Sequence, residues 1–202
     1  MPGLSVSVGP TVEPVTTAEI KTHLRVIGSD EDAYIRSLIT AGRVWIENYT
    51  HRALINQTLI LNLNSFPDYG QPIWLPKPPL SSVTSITYND ANGDSQTLAT
   101  SKYVVDTSGN NRAAGVYESY DNDWPTTYDE VNAVTVTYVA GYGSTAASVP
   151  DPIRHALKML IGSMFCERVP CEECDALADN SPAAMLLSAY KVQNDLVGLP
   201  TW

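Results

Sequence analysis

The chain has 202 residues, 44% of them hydrophobic and 17% charged, with fourteen prolines and twelve glycines; that balance suits one folded core, or a core with a smaller inserted unit, and excludes disorder throughout. Twelve Lys and Arg against twenty-two Asp and Glu leave a formal charge of −10, which repels polyphosphate and disfavours direct DNA binding by counterion release. The apolar run from Ala156 to Phe165 is broken by Lys158, Gly162 and Ser163 and falls short of the roughly 20 residues a spanning helix needs, so no membrane segment is expected.

The first fourteen residues, MPGLSVSVGPTVEP, lack the basic and apolar regions of a signal peptide, and an intracellular origin is the expectation. Three prolines and no apolar periodicity make residues 1–15 an extended N-terminal arm, lying on a neighbour or loose. Thr16 followed by Glu19 is a capping box, so the first helix starts there, with Ile20 and Leu24 on one face. Ser29 is read as the cap of a second helix, from about 30 to 50, whose first turn holds Asp30, Glu31 and Asp32, where negative charge suits the helix dipole. Ile35, Leu38, Ile39, Trp45, Ile46 and Tyr49 recur at helical spacing, and Gly42 on or near that stripe suits close helix packing.

From Asn56 the period changes from 3.6 to 2. TLILNLNSF, PIWLP, SVTSITYND, SKYVVD, GVYESY and AVTVTYVAGY are runs rich in β-branched and aromatic residues, separated by Gly, Pro, Asn and Asp turns, and predict at least five antiparallel strands. After Pro150 and Pro152 a third helix carries Ile153, Leu157, Leu160, Ile161, Met164 and Phe165. Ser181-Pro182 then opens a last helix with Met185, Leu186 and Tyr190 on its apolar side, extending toward Val197. Amphipathic helices cannot bury their stripes alone, so the terminal pairs are expected to pack together. The fold class is α+β: a small helical bundle from residues 16–53 and 150–195, an inserted antiparallel β unit of 54–142, and a C-terminal tail of 196–202.

Candidate chemistry is sparse. Cys166, Cys171 and Cys174 have the spacing C-x4-C-x2-C of the first three ligands of a plant-type iron–sulfur site, without a fourth cysteine. His155, Glu172 or Asp175 could complete a zinc site, and free thiols in a polar loop are the plainer reading. His23, His51 and His155 sit in no nucleophile-and-base pattern. Consecutive Asp30, Glu31 and Asp32 point in different directions on a helix and cannot converge on one ion. Gly141 to Ser144 lacks the spacing of a phosphate-binding loop. No catalytic residue and no cofactor is therefore assigned. Tyr117, Tyr120 and Trp124 have the composition of a ligand-binding surface, which leaves an independent binding module built on the β unit, taking a carbohydrate or a peptide, as the alternative reading.

Five ordered segments carry a resemblance. EPVTTAEIKTHLRV, DEDAYIRSLITAGRVWIENYTHRALINQT, IWLPKPPLSSVTSITYNDANGDSQTL, YVVD, and AVTVTYVAGYGS with VPDPIRHALKMLIGSMF together resemble the phage head–tail connector (adaptor) family over roughly residues 12–167. The resemblance implies a non-enzymatic structural protein of the virion neck, made in the host cytoplasm, whose copies form a ring, typically twelve-fold. That ring docks on the portal on one side and receives a stopper, tail-completion or tail-terminator protein on the other, while DNA passes through without sequence-specific binding. An acidic wall around such a passage would let DNA slide; an acidic surface is equally a plain aid to solubility. Val6 and Val8 in the arm, and Leu199 and Trp202 in the tail, are apolar groups with no evident core of their own and are the candidate partner contacts.

Overall fold

A computed structural model describes residues 3–107, 112–166 and 181–192. The fold is α+β, and the chain divides into two compact units. One contains the helices of Pro10–Ile55 and the described part of Tyr142–Lys191, the other Asn56–Gly141 together with the N-terminal residues up to Gly9.

In the helical unit, α1 (Thr17–Leu24) starts with the capping box the sequence calls for. The Thr16 hydroxyl accepts from the Glu19 amide at 3.2 Å, and the Glu19 carboxylate accepts from the Thr16 amide at 2.8 Å, which satisfies two donors that the first turn would otherwise orphan. Arg25, with φ of 57°, closes the helix in the left-handed region. The second helix corrects the expectation at Ser29. α2 (Asp32–Thr50) has Glu31 at its cap position with no side-chain capping bond. Ser29 contributes only its carbonyl, which accepts from the Asp32 amide in the preceding turn. Acidic charge still stands at the helix start, and Asp32 pairs with Lys21 at 2.7 Å.

The apolar stripe of α2 buries Ile35, Ile39 and Ile46 against Ile153, Leu157, Leu160 and Ile161 of α3 (Asp151–Cys166). Each such fully buried side chain contributes about 1.5–3 kcal/mol by leaving water. Gly42 marks the closest approach, since a Cβ there would stand 2.7 Å from the Leu157 Cδ1. α4 (Pro182–Ser188) is capped by Ser181, whose hydroxyl accepts from the Ala184 amide at 3.2 Å. Its buried side is Ala183, Ala184 and Leu187, so Met185 and Leu186, expected inward, face outward instead.

Ion pairs fasten this unit across long sequence separations. Arg43 bridges Glu13 at 2.7 Å and Glu47 at 3.1 Å, and Glu47 also accepts from the Leu54 amide at 3.0 Å. Glu19 receives Arg154 at 2.6 Å and Lys158 at 3.3 Å. Arg52 is fully buried and donates to the Tyr190 carbonyl.

The β unit holds eight strands among the described residues. A five-stranded antiparallel sheet has the order β1 (Gly3–Val8), β2 (Gln57–Leu63), β8 (Val134–Ala140), β4 (Leu80–Asn89), β5 (Ser95–Thr97). A three-stranded sheet has the order β3 (Ile73–Leu75), β7 (Ala114–Glu118), β6 (Tyr103–Asp106). Residues 3–8, read from sequence as part of an extended arm, are thus an edge strand registered on β2, with Leu4 opposite Leu61 and Val6 opposite Leu59. The alternation is strict on β8, where Val134, Val136, Tyr138 and Ala140 are buried and Thr135, Thr137 and Val139 are half-exposed. Tyr138, whose burial pushes its phenol far above its ordinary value, donates to the Pro76 carbonyl at 2.9 Å. That bond joins the inner face of the larger sheet to the end of β3, while Thr58, Ile60, Thr137 and Val139 on the opposite face are half-buried.

Candidate functional site

Groups that could carry chemistry are dispersed in the structure. Cys166 is exposed at the end of α3, while Cys171 and Cys174 lie outside the described residues. Among the described residues, no three His, Cys, Asp or Glu side chains gather as a metal site would require, and no helix is long and apolar enough to cross a membrane. His23 and His155 stand on α1 and α3, and His51 ends α2 in the left-handed region with φ of 56°. Asp90 at the β4–β5 turn is occupied by the turn itself, accepting from the Asn92 and Asp94 amides and from the Gln96 side chain. Those bonds, led by the Asn92 amide, hold its carboxyl below the ordinary aspartate range.

The aromatic set of the β unit does not form one face. Trp124 stacks on Phe66 with ring centroids 5.0 Å apart, and Tyr117 packs edge-on against Trp74 at 6.3 Å. Only Tyr120 of the three stands free, at 98% exposure. Glu118 ties the neighbouring loops together by accepting from the Gly70 and Trp124 amides at 3.2 and 3.0 Å. This arrangement also presents Tyr69, at 82% exposure, a residue that composition did not single out.

In the helical unit a cleft of about 510 Å³ is lined by Val12, Val15, Thr16, Ile39, Thr40 and Ala146 among others. Its acidic member, Glu13, is engaged by Thr40 at 2.9 Å and by Arg43. The cleft offers an apolar wall with Arg36 and the Thr16 hydroxyl also in its lining, and that hydroxyl is held by the Glu19 carboxylate of the capping box at 2.9 Å. The exposed side chains of Met185 and Leu186 on α4 are a second apolar feature of this unit.

The surface best formed for contact is on the larger sheet. β1 is its edge, and Val6 and Val8 are 56% and 54% exposed. A register shift between them re-aims the second valine: Val6 pairs with Leu59, on the inner side, and Val8 pairs with Thr58, on the outer side. The strand contains neither a charge nor an internal proline, the devices that normally shield an edge. Leu199 and Trp202 lie outside the described residues. The partner of this strand on β2 lies fifty or more residues away in sequence, beyond the reach of a local pattern.

Comparisons with known proteins bear on the whole arrangement. Comparison with curated proteins finds no match. Among solved structures, the chain is similar to one from the virion of a native gene transfer agent particle, with a TM-score of 0.77 and 21% identity, covering 98% of this chain and 99% of that one. It is also similar to a chain in the neck of an empty gene transfer agent particle with C6 symmetry, with a TM-score of 0.75 and 23% identity over 99% of this chain and 100% of that one. A chain in the neck of the native particle with C12 symmetry gives a TM-score of 0.67 at 23% identity, again over 99% and 100%. These likenesses concern the fold from end to end. The model of the phage gp6-like head-tail connector protein family matches residues 15–122, more than half of the sequence, and the chain belongs to that family.

Proposed function

We propose that the chain is a structural, non-enzymatic subunit of a virion neck, and that its copies form a ring, twelve-fold as the family resemblance implies, between a portal and a stopper, tail-completion or tail-terminator protein. DNA passes through the ring without sequence-specific contact, and the net charge of −10 keeps the polymer from sticking. The protein is made in the host cytoplasm and comes to reside in the particle. Its helices act as one bundle interrupted by the β unit, with Val6, Val8, Leu199 and Trp202 as partner contacts. The family match over residues 15–122 carries this reading, supported by likeness to neck chains along the full length.

Native mass spectrometry of the purified chain tests it. A species at twelve times the 21.9 kDa chain mass is expected, and a monomer at all concentrations argues against a ring. Deleting Gly198 to Trp202 is expected to leave the ring intact and to lower head–tail joining, because a terminal indole is a large apolar anchor; unchanged joining would remove the tail from the set of contacts. The alternative, a free-standing ligand-binding module, requires Tyr117, Tyr120 and Trp124 on one face, and two of the three are spent on internal packing.

A further inference from the structure

We infer that the outward face of the five-stranded sheet is the surface through which one copy of this chain packs against the next. The inference rests on the ring reading above and assigns the contact within it. None of the five strands, GLSVSV, QTLILNL, VTVTYVA, LSSVTSITYN and SQT, contains an Asp, Glu, Lys or Arg, in a chain that is 17% charged. An antiparallel sheet with one face in water ordinarily alternates apolar with charged or strongly polar residues. Here the outward positions are hydroxyls and aliphatics instead.

The register gives the face its layout. One cross-strand row runs Val8, Thr58, Val139, Ser82, and the next runs Ser5, Ile60, Thr137, Ser85. A third links Asn62, Thr135, Thr87 and Thr97, with the Thr135 hydroxyl donating to Asn62 at 3.0 Å. Val8 and Val139 in one row and Ile60 in the next therefore form an apolar triangle inside a field of small hydroxyls, continuous with the unshielded edge of β1. Depletion of charge at the centre with apolar anchors is the composition of an interface core.

Charge selects the occupant. Two copies bearing −10 each repel over most of their surfaces, and a face without charge is where they can approach with neither repulsion nor buried unpaired ions. A basic partner would instead be expected to find carboxylates, and nucleic acid to find cations; the strands of this face supply neither. In a cyclic assembly the contact is heterologous, so the face meets a different surface of the next copy.

The test introduces one charge at a half-exposed outward position of the full-length chain. Ile60→Lys and, separately, Thr137→Glu are compared with Tyr120→Glu, at a 98% exposed position outside the five strands. Native mass spectrometry and light scattering report assembly, and thermal melting reports folding. The expected result is loss of the ring in both central variants, with at least a tenfold rise in the concentration needed to assemble, while the Tyr120 variant assembles like wild type and the monomers melt alike. Ile60→Val, which keeps the face neutral, should retain the ring and guards against a folding defect being taken for a contact defect. Rings of wild-type mass in both central variants would overturn the sheet contact and leave the ring reading standing. A wild type that never assembles would overturn the ring reading, and the contact with it.

Discussion

Arg52 is the largest of the fully buried side chains in the described structure, and a buried guanidinium persists only where its donors are used. Burial pulls its pKa down, and Tyr142 and Tyr190 oppose that shift. Arg52→Ala should destabilise the protein by roughly 3 kcal/mol, combining a cavity with an unpaired Tyr190 carbonyl, whereas Arg52→Met keeps most of the volume and should lose only about 1–2 kcal/mol. Urea denaturation of the two variants checks the order. Glu19 makes a different prediction. The Thr16 amide is the chief cause of its lowered pKa; partial burial works against it, and the Thr16 hydroxyl and Lys158 add to the lowering. A carboxyl held below its ordinary 4.5 stabilises the fold above that pH and ceases to do so as pH falls through the folded value. Glu19→Gln should therefore cost about 1 kcal/mol at pH 7, with the gap in melting temperature to wild type closing below pH ~4.5.

At the scale of elements, the α2–α3 contact turns on Gly42. A Cβ there meets the tip of Leu157 at 2.7 Å, and a leucine tip can rotate away, so Gly42→Ala should be near neutral: about 1 kcal/mol of helix propensity gained offsets the crowding. Gly42→Ile cannot be absorbed in this way and should cost about 2–3 kcal/mol, measurable by thermal melting. The close packing at Gly42 was legible from its place on the stripe of Ile35, Ile39 and Ile46, as was the capping box at Thr16, because both are local patterns. Ser29 misled because a cap-forming residue beside Asp-Glu-Asp looks the same whether the helix starts at 30 or at 32. Met185 and Leu186 misled because seven residues make only two turns, and which side is buried is decided by the neighbours Ala183 and Ala184 can approach. The strand Gly3–Val8 was hidden for a third reason: its pairing partner lies at Thr58–Asn62, and a long-range register leaves no mark in a local window. The same holds for the uncharged sheet face, whose five strands are individually unremarkable and become a surface only when the register lays them side by side.

For the whole molecule, charge and assembly pull against each other. Each copy carries −10, and the proposed ring would concentrate that charge, so repulsion between neighbours would oppose closure while the neutral sheet face with Val8, Ile60 and Val139 would favour it. Screening weakens the first term and leaves the second nearly untouched, because the Debye length shrinks from about 10 Å at 0.1 M salt to about 3 Å at 1 M while apolar burial does not depend on it. Raising sodium chloride from about 0.05 to about 0.5 M should thus promote ring formation, lowering the half-assembly concentration several-fold. Moving the pH toward the isoelectric value near 4.6 should act in the same direction until the Glu19 contacts are lost to protonation below its ordinary value. Light scattering over a concentration series at several salt levels measures both trends. Dissociation by salt would mean that ion pairs, such as those a carboxylate-rich face would make with a basic one, hold neighbouring copies together, and would rule against a neutral sheet face as the contact.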